Sequence, residues 1–240
     1  MRLDRLLKLL GLGSRSAPQF GSNLALDLER WLGTSPRVIF DVGANTGQSM
    51  AVFAKLFPDA TVFAFEPFPT SFKELKINAA GLSRVQVYPF ALGSEEGRKT
   101  MFTFEANVTN SLLQSAPESA GLVPDGAMAS RDPCEIESRR LDSFVRQAGV
   151  NRIDFLKVDT QGFELEVLSG AGDFLNPESI GLVQLEMLFS PLYQEQALPS
   201  DIFRLMDERQ FRFMGLYDVA RQHEDGRVKW CDAVFAGRLS

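Results

Sequence analysis

The run Arg37–Gln48, RVIFDVGANTGQ, decides how the rest of the chain is read. Val38, Ile39 and Phe40 are a short apolar stretch of the kind that forms a parallel strand buried on both faces. It stops at Asp41, and Gly43 and Gly47 follow where a chain must turn tightly and bring its backbone close to a ligand. Met50, Phe53, Ala54 and Phe57 then recur at helical spacing. Strand, glycine loop and helix in that order make a nucleotide-type binding turn.

Beyond this run the same alternation continues. Thr61 to Phe65 reads as a second strand ending at Glu66-Pro67, and Pro69 to Ala80 as a helix with Phe72, Leu75 and Ala79 on one face. Val85 to Tyr88 and Ile153 to Val158 are further strands, the latter ending at Asp159, and a helix begins at Glu164. Ile180 to Leu185 makes a strand ending at Glu186, and Ser200 can cap a helix running to about Arg209. Phe211 to Tyr217 and Val228 to Ala236 flank an Asp-Gly and suggest a hairpin closing one edge. Alternating strands and helices predict a doubly wound, mostly parallel sheet.

The 240 residues fit one domain, expected over 36–240, preceded by a helical segment and linker over 1–35. With 45% apolar and 23% charged residues the chain matches an ordinary globular protein, and 20 phenylalanines predict a Phe-rich core. A net charge of −6 argues against nucleic acid as the main partner. Cys134 and Cys231 lack paired spacing, and His223, the single histidine, falls in a polar connection, so no zinc cluster or His-based triad is expected. Charges interrupt the opening MRLDRLLKLLGLG, which reads as neither signal peptide nor transmembrane span, and a cytoplasmic location is expected. Leu3, Leu6, Leu7 and Leu10 share a helical face, which either docks on the domain or frays, with weak peripheral membrane contact through 1–12 as the alternative. The stretch from about 100 to 140 breaks the alternation, and long insertions at the carboxyl edge of a sheet are where substrate specificity tends to reside.

Asp41, Glu66, Asp159 and Glu186 each close an apolar run, and in an open parallel sheet the carboxyl ends of the strands border the ligand crevice. A pyrophosphate would meet Asp41 and Asp159 as like charges, and the glycines are not spaced G-x-G-x-x-G. A ligand with a ribose, an ammonium and a sulfonium but no phosphate suits an acidic rim better, and S-adenosylmethionine is such a ligand.

The runs VIFDVGANTGQS, FAFEPFP and FALGSEEG, the triplet Asn110-Ser111-Leu112, and IDFLKVDTQGFELEVLSGA together resemble the FkbM family of S-adenosylmethionine-dependent methyltransferases. The similarity runs from about Val38 to Phe235. It implies a Rossmann-like class I methyltransferase fold, a seven-stranded sheet with an antiparallel edge strand, and methyl transfer to a hydroxyl of a sugar, glycan precursor or natural product. Two departures stand out. Thr160-Gln161 replaces a family Val-Glu or Val-Gln before the glycine, which bears on substrate or metal preference, and Asn45 replaces the middle glycine of the broader methyltransferase loop.

On this reading Asp41 orients the loop or meets the cofactor ammonium, unless it only caps the loop amides. Gly43, Ala44, Asn45 and Gly47 supply backbone contact, Glu66 with neighbouring Pro67 takes the ribose, and Ala91 and Leu92 flank the adenine. Asp159 is the first candidate for the base that receives the acceptor proton. Glu186 can join it to hold a divalent cation such as magnesium, or else is a hydrogen-bonded strand end. Lys157 shares a strand face with Asp159 and is read as a buried ion pair or substrate contact. Asn110 and Ser111 meet substrate or cofactor, or hold a turn. A nicotinamide-dependent oxidoreductase, a non-catalytic cofactor-binding scaffold, and methylation at nitrogen or carbon are the rival readings.

Overall fold

The computed structural model describes residues 19–33 and 35–237. The expected N-terminal helix over 1–12 and most of the linker lie outside the described residues. Strand parity explains the layering. In β1 (Val38–Val42) Ile39 points to one side of the sheet while Phe40 and Val42 point to the other. In β2 (Thr61–Phe65), Val62 and Ala64 alternate with Phe63 and Phe65 in the same way. Helices α1 (Leu24–Leu32), α2 (Gln48–Leu56) and α3 (Pro69–Ala79) cover the first face through Leu28, Met50, Phe53 and Leu75. Helices α4 (Leu141–Ala148), α5 (Glu164–Ala171) and α6 (Pro199–Glu208) cover the second through Phe144, Val167, Leu168, Ile202 and Met206.

The sheet has seven strands. Besides β1 and β2 they are β3 (Val85–Tyr88), β7 (Ile153–Val158), β8 (Ile180–Leu188), β9 (Arg212–Arg221) and β10 (Val228–Ala236), in the order β3-β2-β1-β7-β8-β10-β9. Pairing is parallel from β3 to β8 and antiparallel on both sides of β10. The antiparallel strand expected at the edge thus lies one place in, because the second arm of the β9–β10 hairpin docks on β8 and leaves β9 outside. The phenylalanine excess is used in one cluster, where Phe144 of α4 meets Phe65 edge-on at 5.0 Å and Tyr88 at 4.9 Å.

Several local expectations are corrected. Helix α4 was absent from the sequence reading although Leu141, Phe144 and Val145 have helical spacing and Gly149 closes it in a left-handed cap. Ser200 sits inside α6, whose first residue is Pro199 and whose cap position is Leu198. The irregular stretch is bounded by β5 (Gly97–Met101) and β6 (Cys134–Arg139), which with β4 (Ala91–Leu92) form a second, three-stranded sheet. Between them, residues 102–133 form a strap folded on itself by the bridge Phe102↔Ser111 and tied by Ser115↔Tyr193 to the segment after β8. Among the described residues no helix is long and apolar enough to cross a membrane.

Two turns carry the edge. Gly43 has φ +79°, and a Cβ there would collide with the Asp159 carbonyl, so the loop after β1 and the end of β7 touch backbone to backbone. Gly47, at φ +97°, faces Met50 Cε and Leu75 Cδ1, which a Cβ would approach to 2.6 and 2.9 Å. The β7–α5 turn is held by Glu164, whose Oε1 accepts from Thr160 N at 2.9 Å, Thr160 Oγ1 at 3.1 Å and Gly162 N at 3.2 Å. Burial, then the charge of Asp159, raise the Glu164 carboxyl to about 7 against the hydrogen bonds it accepts.

Gly43→Ala is expected to lower the unfolding free energy by about 3 kcal/mol or more, read as a shifted urea midpoint at unchanged slope. Glu164 gives a pH signature. A carboxyl raised in the folded state adds stability below its ordinary value of 4.5, and that contribution is lost as pH rises through about 7. Glu164→Gln keeps the accepting Oε1, so it is expected to be more stable than wild type near pH 8, by up to roughly 3 kcal/mol, and equal to it near pH 4. Thermal melts across that range check the sign.

Candidate active site

A cavity of about 550 Å³ opens at the carboxyl edge of the sheet. Of the residues expected there, Gly43, Ala44, Asn45, Glu66, Pro67, Ala91, Leu92, Asn110, Ser111, Lys157, Asp159 and Glu186 all line it. Asp41 and Gly47 do not. Gly47 is needed where α2 packs on α3, as its contacts show. Asp41 lies within β1 rather than at its end and is fully buried, on the strand face it shares with Ile39. It contributes charge to the cavity floor through Lys157 and does not stand on the rim.

Lys157 is the hinge of the site. In register Asp41 is its Cα partner on β1 and Gln184 its partner on β8, so a polar row crosses three central strands. Its ammonium, 6% exposed, lies 3.5 Å from Asp41 Oδ1 and 3.2 Å from Asp159 Oδ2. Burial alone would lower the lysine, but the Asp159 and Asp41 charges outweigh it and hold it raised and cationic. Burial raises Asp41, with Lys157 opposing. Asp159 is one-third exposed, and there burial is overcome by Lys157 and by a hydrogen bond from Gln161, leaving its carboxyl below the usual range and ionised.

Glu186 behaves oppositely. It lies inside β8, not at its end as expected, because antiparallel β10 pairs past it through Asp232↔Glu186 and Trp230↔Leu188. Burial, then the Asp159 charge, push its carboxyl well up. The two carboxylates meet on one amide: Gln161 Nε2 donates to Asp159 Oδ1 at 3.0 Å and to Glu186 Oε2 at 2.6 Å. The Tyr193 hydroxyl lies 3.0 Å from Gln161 Oε1 and 2.8 Å from Thr109 O, which fixes the amide's orientation. Ser111 Oγ donates to Gln161 O at 2.8 Å, and Gln161 holds a left-handed backbone at φ +57°. The sequence reading noted Gln161 only as a departure from the family phrase and missed Tyr193. A polar residue ahead of Gly162 in a strand-to-helix turn was the available signal for the first. The second depends on a contact across 32 residues.

Glu66 anchors the other end. Its Oε2 accepts from Asn45 N at 2.9 Å and its Oε1 from Phe68 N at 2.7 Å, and burial raises it to about 7 against those two bonds. Asn45 itself is left-handed at φ +48°. At the start of α2, the cap residue Gly47 offers no side chain and Gln48 and Ser49 line the cavity, while the Met50 amide serves Asp41.

The magnesium pair finds no support in the donor set. Among the described residues no three or more His, Cys, Asp or Glu side chains are grouped to hold a metal ion. Asp159 and Glu186 are engaged by an amide and an ammonium, which take the positions a divalent cation would need.

The profile of the methyltransferase FkbM domain matches residues 41–213. The 2-O-methyltransferase NoeI of Sinorhizobium fredii is 30% identical over 148 residues, covering 58% of this chain and 58% of that protein. The 31-O-demethyl-FK506 methyltransferase FkbM of Streptomyces tacrolimicus is 32% identical over 161 residues, covering 57% and 60%. The hexuronic acid methyltransferase AglP of Haloferax volcanii is 25% identical over 181 residues, covering 72% and 68%. The chain therefore spans somewhat under two thirds of the length of the first two. Among solved structures, an rRNA methylase from Streptococcus thermophilus superposes with a TM-score of 0.50 at 12% identity, covering 92% of this chain and 99% of that one, a likeness of fold alone. Because the family profile covers well over half of the sequence, including the loop after β1, Glu66 and the Asp159 turn, this chain belongs to the methyltransferase FkbM domain family.

Proposed function

We propose that the chain is an S-adenosylmethionine-dependent O-methyltransferase whose acceptor is a hydroxyl on a sugar, glycan precursor or natural product. The observation that carries this reading is the ionised Asp159 held on Lys157 in the same cavity as an amide-fixed Glu66. The oxygen acceptor is further supported by the names of three relatives, a 2-O-methyltransferase, a 31-O-demethyl-FK506 methyltransferase and a hexuronic acid methyltransferase.

The residues present fit the cofactor. Glu66 keeps free lone pairs for the ribose hydroxyls, while Pro67, Ala91 and Leu92 offer an apolar slot for the adenine. Loop residues 43–45 and the first turn of α2 would hold the amino-acid end, where backbone amides suit a carboxylate. The ionised Asp159, with Glu66 and Glu186 on the same wall, gives the cavity an acidic lining that favours a cationic ligand. When bound, S-adenosylmethionine supplies an electrophilic methyl group on a sulfonium.

The protein's own contribution is proton handling. An alcohol becomes a competent nucleophile as its proton leaves, and Asp159 is the exposed, ionised oxygen acceptor able to take it. Burial pushes the Glu186 carboxyl well up, and Gln161 Nε2 ties it to Asp159 by donating to both. Lys157 stabilises Asp159 before transfer, and Asp41 Oδ1 lies 3.5 Å from the same ammonium.

Calorimetry with S-adenosylmethionine and with NAD, followed by tritiated-methyl transfer to a panel of hydroxylated acceptors, tests the proposal. NAD binding without S-adenosylmethionine binding would overturn it, and cofactor binding without transfer to any acceptor would favour a scaffold. Glu66→Gln is expected to weaken cofactor binding about ten-fold or more, since an ionised carboxylate makes the stronger hydrogen bonds. In wild type the same affinity is expected to fall as pH drops below about 7, where Glu66 takes up its proton. Asp159→Asn is expected to cut kcat by about 10²-fold or more while the cofactor still binds. Full activity in that variant would remove Asp159 as the base.

A further inference from the structure

The Tyr193 hydroxyl carries a single hydrogen and stands between two acceptors. Thr109 O lies 2.8 Å away on the strap, and Gln161 Oε1 lies 3.0 Å away on the β7–α5 turn. The residue is 2% exposed, its ring packs with Phe104 at 6.3 Å, and its amide donates to Gln196 Oε1 at 3.0 Å, so the phenol oxygen is fixed between the two. Burial, then the charge of Glu186, raise the hydroxyl, which therefore keeps its hydrogen. One O–H bond cannot point fully at both oxygens.

Which oxygen receives the hydrogen depends on the carboxyls at the far end of the Gln161 amide. While Asp159 is ionised, held by Lys157 at 3.2 Å, an amide oxygen turned toward it would be repelled. Nε2 must then face Asp159 Oδ1 at 3.0 Å and Glu186 Oε2 at 2.6 Å, which leaves Oε1 facing Tyr193. Two oxygens at that distance need a hydrogen between them, and the phenol supplies it. A proton on Asp159 Oδ1 reverses the requirement. The new O–H needs an acceptor, and a half-turn of the amide about its last side-chain bond presents Oε1 to it without displacing a neighbour. Nε2 then donates to the Tyr193 oxygen, and the phenol hydrogen is left for Thr109 O. Glu186 suits either arrangement, because its carboxyl, pushed well up by burial, can accept from Nε2 or donate its own proton to Oε1.

We propose that Tyr193 is a positioning residue for the base: its hydrogen bonds Gln161 Oε1 while Asp159 is ionised, and swings to Thr109 O when Asp159 holds a proton and the Gln161 amide has made its half-turn. The strap is thus held more firmly at Thr109 after proton transfer, and is eased there when Asp159 gives the proton up. Ser111 Oγ, which donates to the Gln161 backbone oxygen at 2.8 Å, keeps the strap attached in both arrangements. Asp159 as the base rests on the methyltransferase reading, whereas the alternation follows from the count of hydrogens around Gln161.

The test uses the full chain with no acceptor. In wild type at neutral pH, a long-range NMR correlation across the hydrogen bond from the Tyr193 hydroxyl hydrogen is expected at Gln161 Cδ. In Asp159→Asn it is expected at the Thr109 carbonyl carbon, because the introduced amide, with its oxygen kept by Lys157, turns a donor toward Gln161 as a protonated acid would. A wild-type correlation at Thr109, or one that stays at Gln161 in Asp159→Asn, overturns the proposal. Hydrogen exchange gives a second reading. The Thr109, Asn110 and Ser111 amides are expected to exchange about ten-fold more slowly in Asp159→Asn than in wild type, and Tyr193→Phe is expected to abolish that gap. If Tyr193→Phe instead speeds exchange equally in both backgrounds, its role is packing alone and the proposal falls. Should Tyr193→Phe fail to fold, the two correlations decide. Calorimetry with S-adenosylmethionine separates the two readings: absent binding removes the methyltransferase, while the correlations still judge the alternation.

Discussion

A lysine ammonium held under the sheet edge, out of water, is the constraint around which the site is built. Lys157 cannot be neutralised cheaply while two carboxyls flank it, and removing the lysine would leave them without a cation, a loss of about 3–5 kcal/mol in comparable buried pairs. The trio therefore fixes the relative positions of β1 and β7. It also explains why Asp159 is ionised in a place where burial alone would have protonated it. At the other carboxyls burial wins: Asp41 is raised despite the lysine beside it, Glu66 and Glu164 rise to about 7 and Asp232 to about 6. Burial thus raises most of the acids at this edge, and Asp159, nearest the ammonium, is the one held below its usual range.

That sorting comes at a cost in stability which the protein bears at one edge. Carboxyls raised by burial destabilise the folded chain at pH above their shifted values. Groups of this kind gather where a cationic ligand would relieve them, as is common in functional sites. The rest of the molecule is built conventionally, with two apolar faces and an aromatic cluster around Phe144. The edge is where local physics has been set against itself.

The central strands and the Glu66 turn were legible because they are short apolar runs ending in a charge, a pattern that survives without knowledge of neighbours. Asp41 was misread because a strand can continue one residue past an acid when a lysine waits on the next strand. Glu186 was misread because its strand is lengthened by β10, about 45 residues further along the chain. Gln161 and Tyr193 acquire meaning only from contacts between separate turns, and no spacing rule announces them. Helix α4 was a different kind of omission, since Leu141, Phe144 and Val145 carried the signal and the irregular composition before them obscured it.

The strap over the cavity is suspended from the small β4–β6–β5 sheet and pinned at mid-span by Tyr193 and Gln161. Its one fully buried aromatic, Phe104, packs with Leu188, Leu192 and Tyr193, apart from the two main cores. Leu112 and Leu113 tie the strap to the large core, so the residues that can be exchanged without disturbing the sheet layers are those on either side of that contact. Such a segment behaves as a replaceable cassette: apart from Leu112 and Leu113, about thirty residues of strap can reshape the wall of the cavity while the sheet edge beneath keeps its residues.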